Sequence, residues 1–183
     1  MSLAAYISML RGINVSGQKM IRMQELVAMY KTLGFTNVST FIQSGNVVFS
    51  CAKQDIASLT TMIEEQIHNH FGYSVSVFIR TVPEMAHIIT TNPFSKQENE
   101  TNKNIYITFL QTQPVVEEPR NVKITSQSGE EYIRVDREIF LFCPNGYGRT
   151  KLNNNYFERK YKLPVTTRNW NTVKELYKLA TLI

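Results

Sequence analysis

Gly34–Ser50, GFTNVSTFIQSGNVVFS, contains two strand-like runs, NVSTFIQ and NVVFS, on either side of Ser44-Gly45-Asn46. Strand formers flanking a turn triplet predict a hairpin. Upstream, MQELVAMYKTLGF sets Leu26, Val27, Tyr30 and Leu33 at helical spacing and ends at Gly34, a helix stop. Before it lies Ala4–Leu10, a short apolar segment rich in strand formers. Downstream, Asp55 caps a helix whose apolar positions include Ile56, Leu59, Met62, Ile63 and Ile67 and which ends near Gly72. SVSVFIR then reads as a strand reaching Arg80. The order is β-α-β-β-α-β, the ferredoxin-like or split βαβ arrangement.

The rest of the chain repeats that order. PEMAHIITTN is a connecting helix ended by Asn92-Pro93. NIYITFL is a strand whose IYITFL resembles AYISML position by position. PVVEEPRNV reads as a weak short helix, EYIRVD and IFLFC as a second hairpin, and TKLNNNYFERKYK as a second late helix. LPVTTRN matches VSVFIRT loosely and brings Arg168 to the place of Arg80. An internal duplication follows. A closing helix begins near Thr172, where Thr-Val-Lys-Glu fits a capping box with Glu175. The expected fold is α+β, with two similar ferredoxin-like (βαββαβ) halves plus a C-terminal helix. Residues 1–81 form the first half, 82–103 a connecting helix and polar loop, and 104–183 the second half. NPFSKQENETNKN is the turn-rich linker between them.

Composition narrows the class. The chain has 183 residues, 43% hydrophobic and 19% charged, ordinary for a globular protein able to bury a core. No apolar run approaches the ~20 residues of a membrane span, and MSLAAYISMLRG reads as a strand rather than a leader. Two cysteines without a CxxC fit a reducing cytoplasm. Charge is uneven: residues 1–144 carry 12 Lys/Arg against 13 Asp/Glu, and residues 145–183 carry 8 against 2. The basic final fifth can attract an anion or a nucleic-acid backbone.

Four segments, MLRGINVSGQKMIRMQEL, GFTNVSTFIQSGNVVF, TKLNNNYFE and TTRNWNTVKEL, occur in an order that resembles an uncharacterised bacterial group, domain-of-unknown-function family 1697. The resemblance spans nearly the whole chain and implies a pair of interlocked α+β halves. It implies no established activity, cofactor or catalytic residue.

Three segments bear on chemistry. Arg11–Lys19, RGINVSGQK, leads from a strand toward a helix, where unpaired N–H groups and the helix dipole favour an anion, although neither a P-loop nor GxGxxG is present. NGYGRTKL sets Gly146 and Gly148 ahead of Arg149, Thr150 and Lys151, with Thr150 as an expected N-cap. TTRNWNT puts Arg168 and Asn169 before the closing helix. If these loops meet, Arg11, Lys151 and Arg168 supply charge and Asn14, Asn46 and Asn169 supply amides. The competing account gives the glycines to backbone angles and the asparagines to turns.

Other constellations are weaker. Tyr6 and Tyr106 stand where an RNA-recognition sheet would carry aromatics, yet its signature motif is absent, little is left for base stacking if Phe49 faces the helices, and core packing explains both tyrosines. His68 and His70 point in different directions on a helix, His87 is isolated, and Cys51 and Cys143 read as inert. Asp136 and Glu138 sit in a hairpin turn. No metal or cofactor is expected, and no catalytic constellation stands out. The preferred reading is a cytoplasmic protein, with no membrane association, that binds a phosphate- or carboxylate-bearing ligand, with a nucleotide or nucleic acid as partner class. Two alternatives stay open: an enzyme acting on an anionic small molecule near Ser44 and Asn46, and a module for an acidic protein partner.

Overall fold

The computed structural model describes residues 3–94, 102–115, 123–127 and 129–183. It is a mixed α+β structure with two antiparallel sheets and, among the described residues, five helices. Two compact units divide the chain: residues 1–86 with 175–183, and residues 87–174.

The first unit runs β1 (Leu3–Leu10), α1 (Met23–Thr32), β2 (Thr36–Phe41), β3 (Asn46–Ala52), α2 (Ile56–Phe71) and β4 (Val77–Thr81). Its sheet order is β2-β3-β1-β4. Tyr6 faces Phe49 across β1 and β3, while Ile7 faces Arg80 across β1 and β4. Alternation along the strands puts Tyr6, Leu10, Val47, Phe49, Val77 and Ile79 into one cluster with Leu26, Met29, Leu59, Ile63 and Ile67 of the two helices. Phe49 is the hub, with ring centroids 4.6 Å from Phe35, 5.4 Å from Tyr30 and 5.7 Å from Tyr6. Burying each such ring stabilises the unit by about 1.5–3 kcal/mol. Tyr30 keeps a partner in this apolar setting, its hydroxyl 2.8 Å from Ser8 Oγ, and burial pushes its phenol pKa up.

Local chemistry explains the element ends. Asp55 Oδ2 accepts from the Ser58 N–H at 2.9 Å and Gly72 ends α2 in the left-handed region, as its sequence predicts. The β2–β3 connection is the four residues Ile42–Gly45 rather than the expected triplet, because Asn46 already pairs with Phe41. Gly45 has φ +72°, and a Cβ there would lie 2.7 Å from Ile13 Cδ1 and 2.8 Å from Leu10 Cβ, so only glycine fits.

A connecting helix, α3 (Val82–Thr90), follows β4 directly. Its start is a capping box that the sequence reading missed: the Thr81 N–H donates to Glu84 Oε2 at 2.8 Å, and the Glu84 N–H reaches Thr81 Oγ1 at 3.4 Å.

The second unit continues with β5 (Ile105–Leu110), β6 (Lys123–Thr125), β7 (Glu131–Val135), β8 (Glu138–Phe142), α4 (Asn154–Tyr161) and β9 (Val165–Asn169), in sheet order β6-β7-β8-β5-β9. Short β6 is an edge strand with no counterpart in the expected repeat. β7 and β8 form the expected second hairpin around Asp136-Arg137. The expected helix PVVEEPRNV lies largely outside the described residues, as does most of the linker. Leu110, Tyr132, Leu141, Phe157, Tyr161 and Val165 form a core beneath α4.

The closing helix, α5 (Trp170–Ala180), begins two residues before Thr172. Asn169 caps it, with its Oδ1 accepting from the Asn171 N–H at 2.9 Å, so the expected Thr172 capping box is replaced. No described helix is long and apolar enough to cross a membrane.

Candidate functional site

In the first unit, Arg11–Lys19 is a clamped hairpin. Ser16 and Gly17 have φ of 50° and 74°, the signs of a type I′ turn, and the Gln18 N–H donates to the Val15 carbonyl at 2.9 Å. Asn14 closes the loop: Nδ2 donates to the Ile21 carbonyl at 2.9 Å and the Gln43 carbonyl at 2.8 Å, while Oδ1 accepts from the Ile21 N–H at 2.8 Å. Lys19 Nζ donates to the Ser74 carbonyl at 2.6 Å. Helix α1 starts only at Met23, its N-cap Arg22 making no side-chain cap. Asn46 is fully buried and donates to the Phe41 carbonyl at 3.1 Å and Ser44 Oγ at 2.9 Å. Both amides thus hold backbone of their own unit. Arg11 is half-buried, its N–H bonded to the Ser76 carbonyl at 2.9 Å.

The second unit places its cations differently. Thr150 does not cap α4; its Oγ1 accepts from the Leu152 N–H at 3.0 Å and shapes the approach, while Asn153 is the N-cap, accepting from the Tyr156 N–H at 3.1 Å. The reason is distance: a bend over 151–153 separates the glycine loop from the helix. Lys151 is exposed and lines a surface hollow of about 950 Å³ with Arg159 and Lys162, beside Asn153, Asn155, Tyr156 and Glu158. None of these three side-chain charges has an ion-pair or hydrogen-bond partner among the described residues. The Glu158 carboxylate accepts from the Val165 N–H at 3.2 Å, which ties it to the start of β9. Lys160, inside the same run, turns the other way and donates to the Tyr132 hydroxyl at 2.7 Å. Burial raises the Tyr132 phenol pKa.

Arg159 and Lys162 were not among the residues expected from sequence. Their signal is the spacing in YFERKYK, which sets two cations three apart on one helical face.

Arg168 is only 8% exposed, and its guanidinium donates to Thr166 Oγ1 at 2.8 Å and the Thr167 carbonyl at 3.0 Å. Burial lowers its pKa to about 10. Arg80, at the matching register in the first unit, is fully buried and likewise donates to the preceding carbonyl, Ile79, at 2.9 Å. Asn169 caps α5 and donates to the Lys103 carbonyl at 3.3 Å.

Arg11, Asn14 and Asn46 therefore belong to one unit, and Lys151, Arg168 and Asn169 to the other. Tyr6 and Phe49 lie in the helix-covered core, away from any base-stacking role. Tyr106 packs beside Tyr147 at 5.2 Å. His68 and His70 are exposed, and no group of three potential metal ligands occurs among the described residues. Cys51 and Cys143 are free and buried, and burial pushes both thiols up, Cys143 to about 11.

A family model described as protein of unknown function, DUF1697, matches residues 3–140, and the chain belongs to that family. It also resembles the solved structure of conserved bacterial protein SP0830 from Streptococcus pneumoniae. That match has a TM-score of 0.69 and 19% identity, over 98% of this chain and 99% of the other. No curated protein matches the chain.

Proposed function

We propose that the hollow along α4 binds a phosphate backbone, with a nucleic-acid strand as the partner class. The observation that carries this is the set Lys151, Arg159 and Lys162: three exposed cations on one hollow, unpaired with any carboxylate among the described residues. Free cations gathered on one hollow neutralise phosphates and release their counterions. Asn153, Asn155 and Tyr156 add polar and ring surface for the sugar and base. The reading keeps Lys151 from the sequence and replaces Arg11 and Arg168 with Arg159 and Lys162. Arg168 is buried, with Nη1 donating to Thr166 and Thr167 of its own strand, so its charge serves the fold.

The test is fluorescence anisotropy with single-stranded oligo-dT and oligo-U at low salt. Lys151→Ala/Arg159→Ala/Lys162→Ala is expected to weaken binding by about tenfold or more, with the unfolding midpoint unchanged. Equal binding by the variant contradicts the reading.

We also infer that the two units are ferredoxin-like copies of one ancestral βαββαβ module. Supporting this are the sheet orders β2-β3-β1-β4 and, setting β6 aside, β7-β8-β5-β9. The matched pairs Ile7–Arg80 and Ile107–Arg168 agree with it.

A further inference from the structure

We infer that Tyr156 is a stacking platform for an unpaired base, so that the hollow along α4 holds a single strand through a nucleobase as well as through its phosphates. The inference rests on the phosphate reading above and adds to it the class of nucleic acid that the ring selects.

Among the described residues, Tyr156 is the one aromatic side chain that lines the hollow with Lys151, Arg159 and Lys162. Its neighbours hold it in place. Phe157, fully buried, meets the ring edge-on, with centroids 5.1 Å apart and planes at 81°. The Tyr156 hydroxyl interacts with that of buried Tyr132, which also accepts from Lys160. The polar tip is thus engaged within the unit, and what remains for the hollow is the ring.

Tyr161 gives the contrast. It flanks the same Phe157, stacked at 6.3 Å and 13°, but is only 4% exposed and completes the core. Tyr156 is half-buried at the surface. A ring already fixed by its neighbours loses little freedom when a ligand lies against it.

Chemistry selects that ligand. A cationic groove with an aromatic face suits single strands, because every base has a π-face to stack. A paired base keeps its faces inside the duplex and must be extruded, at an energetic cost, before it can reach a ring. Asn155, exposed on the same hollow, adds an amide able to donate to and accept from a base edge. A chain of phosphates without bases would engage the cations and leave the ring idle.

The test is fluorescence anisotropy at low salt with three probes of equal length: oligo-dT, a strand of abasic residues, and a dA·dT duplex. The protein is expected to bind oligo-dT about tenfold more tightly than the abasic strand, the gain from one stacked base. Tyr156→Leu keeps apolar bulk against Phe157; it should erase that gain and leave the affinities for the abasic strand and the duplex unchanged. Tyr156→Phe should retain the gain. The proposal is overturned if the abasic strand binds as tightly as oligo-dT, or if Tyr156→Leu weakens all three probes alike. Failure of the phosphate reading looks different: no probe binds, or Lys151→Ala/Arg159→Ala/Lys162→Ala holds the abasic strand as tightly as the parent, and the inference then falls with it.

Discussion

RGINVSGQK in the first unit and NGYGRTKL in the other share their ingredients: glycines, adjacent cations, a helix to follow. They fold to opposite ends. The first is braced by its own polar groups, with Asn14 tied at three points and Lys19 bonded to Ser74, and it shows the solvent aliphatic side chains. NGYGRTKL leads through a bend into α4 and leaves Lys151 unengaged beside Arg159 and Lys162. A glycine–cation motif therefore does not itself make an anion site. What matters is whether the charges are consumed within the fold.

Substitutions can break or sharpen this contrast. The largest effect is expected at Gly45→Ala, where left-handed strain and overlap with Ile13 and Leu10 together cost about 3 kcal/mol or more. Asn14→Ala should cost about 2–3 kcal/mol by freeing three hydrogen bonds, read from urea unfolding. On the other side, Asn153→Ala removes only the α4 cap and should cost about 1 kcal/mol. If Asn14→Ala were as mild as Asn153→Ala, the braced-against-open distinction would fail. Ile42→Gly is expected to stabilise by about 1 kcal/mol, in line with relief of left-handed strain.

A pH experiment probes the buried thiols. Cys143 titrates near 11 in the folded chain, above its ordinary value near 9, because burial disfavours the thiolate. Between those values the unfolded thiol ionises first, so the folded state holds more protons and stability falls as pH rises from 9 to 11. Below 9 both states are protonated and Cys143 adds no pH dependence. Native-state alkylation at neutral pH should be slow for both cysteines and fast after denaturation.

Much of the fold was legible because its signals are local. Asp55, Gly34 and Gly72 mark helix ends through contacts within a few residues, and period-two runs mark the strands. Two of the misses are competition among nearby caps: Asn153 displaced Thr150, and Asn169 displaced Thr172. The site was less legible because its determinants are distant. Asn14 reads as a free amide until Gln43, 29 residues on, proves to be its partner. Arg168 reads as a ligand-binding cation until its strand register turns it into a buried position beside Ile107. Within ERKYK, only the tertiary position of Tyr132 separates the inward Lys160 from the outward Arg159 and Lys162.

The central claim is that free cations along α4 meet a phosphate backbone, and salt dependence tests it most directly. If Lys151, Arg159 and Lys162 each neutralise one phosphate of a single strand, log affinity should fall with log salt at a slope of about −2. The triple alanine variant should lose both the affinity and the slope. A slope near zero, or one unchanged in the variant, would contradict the account.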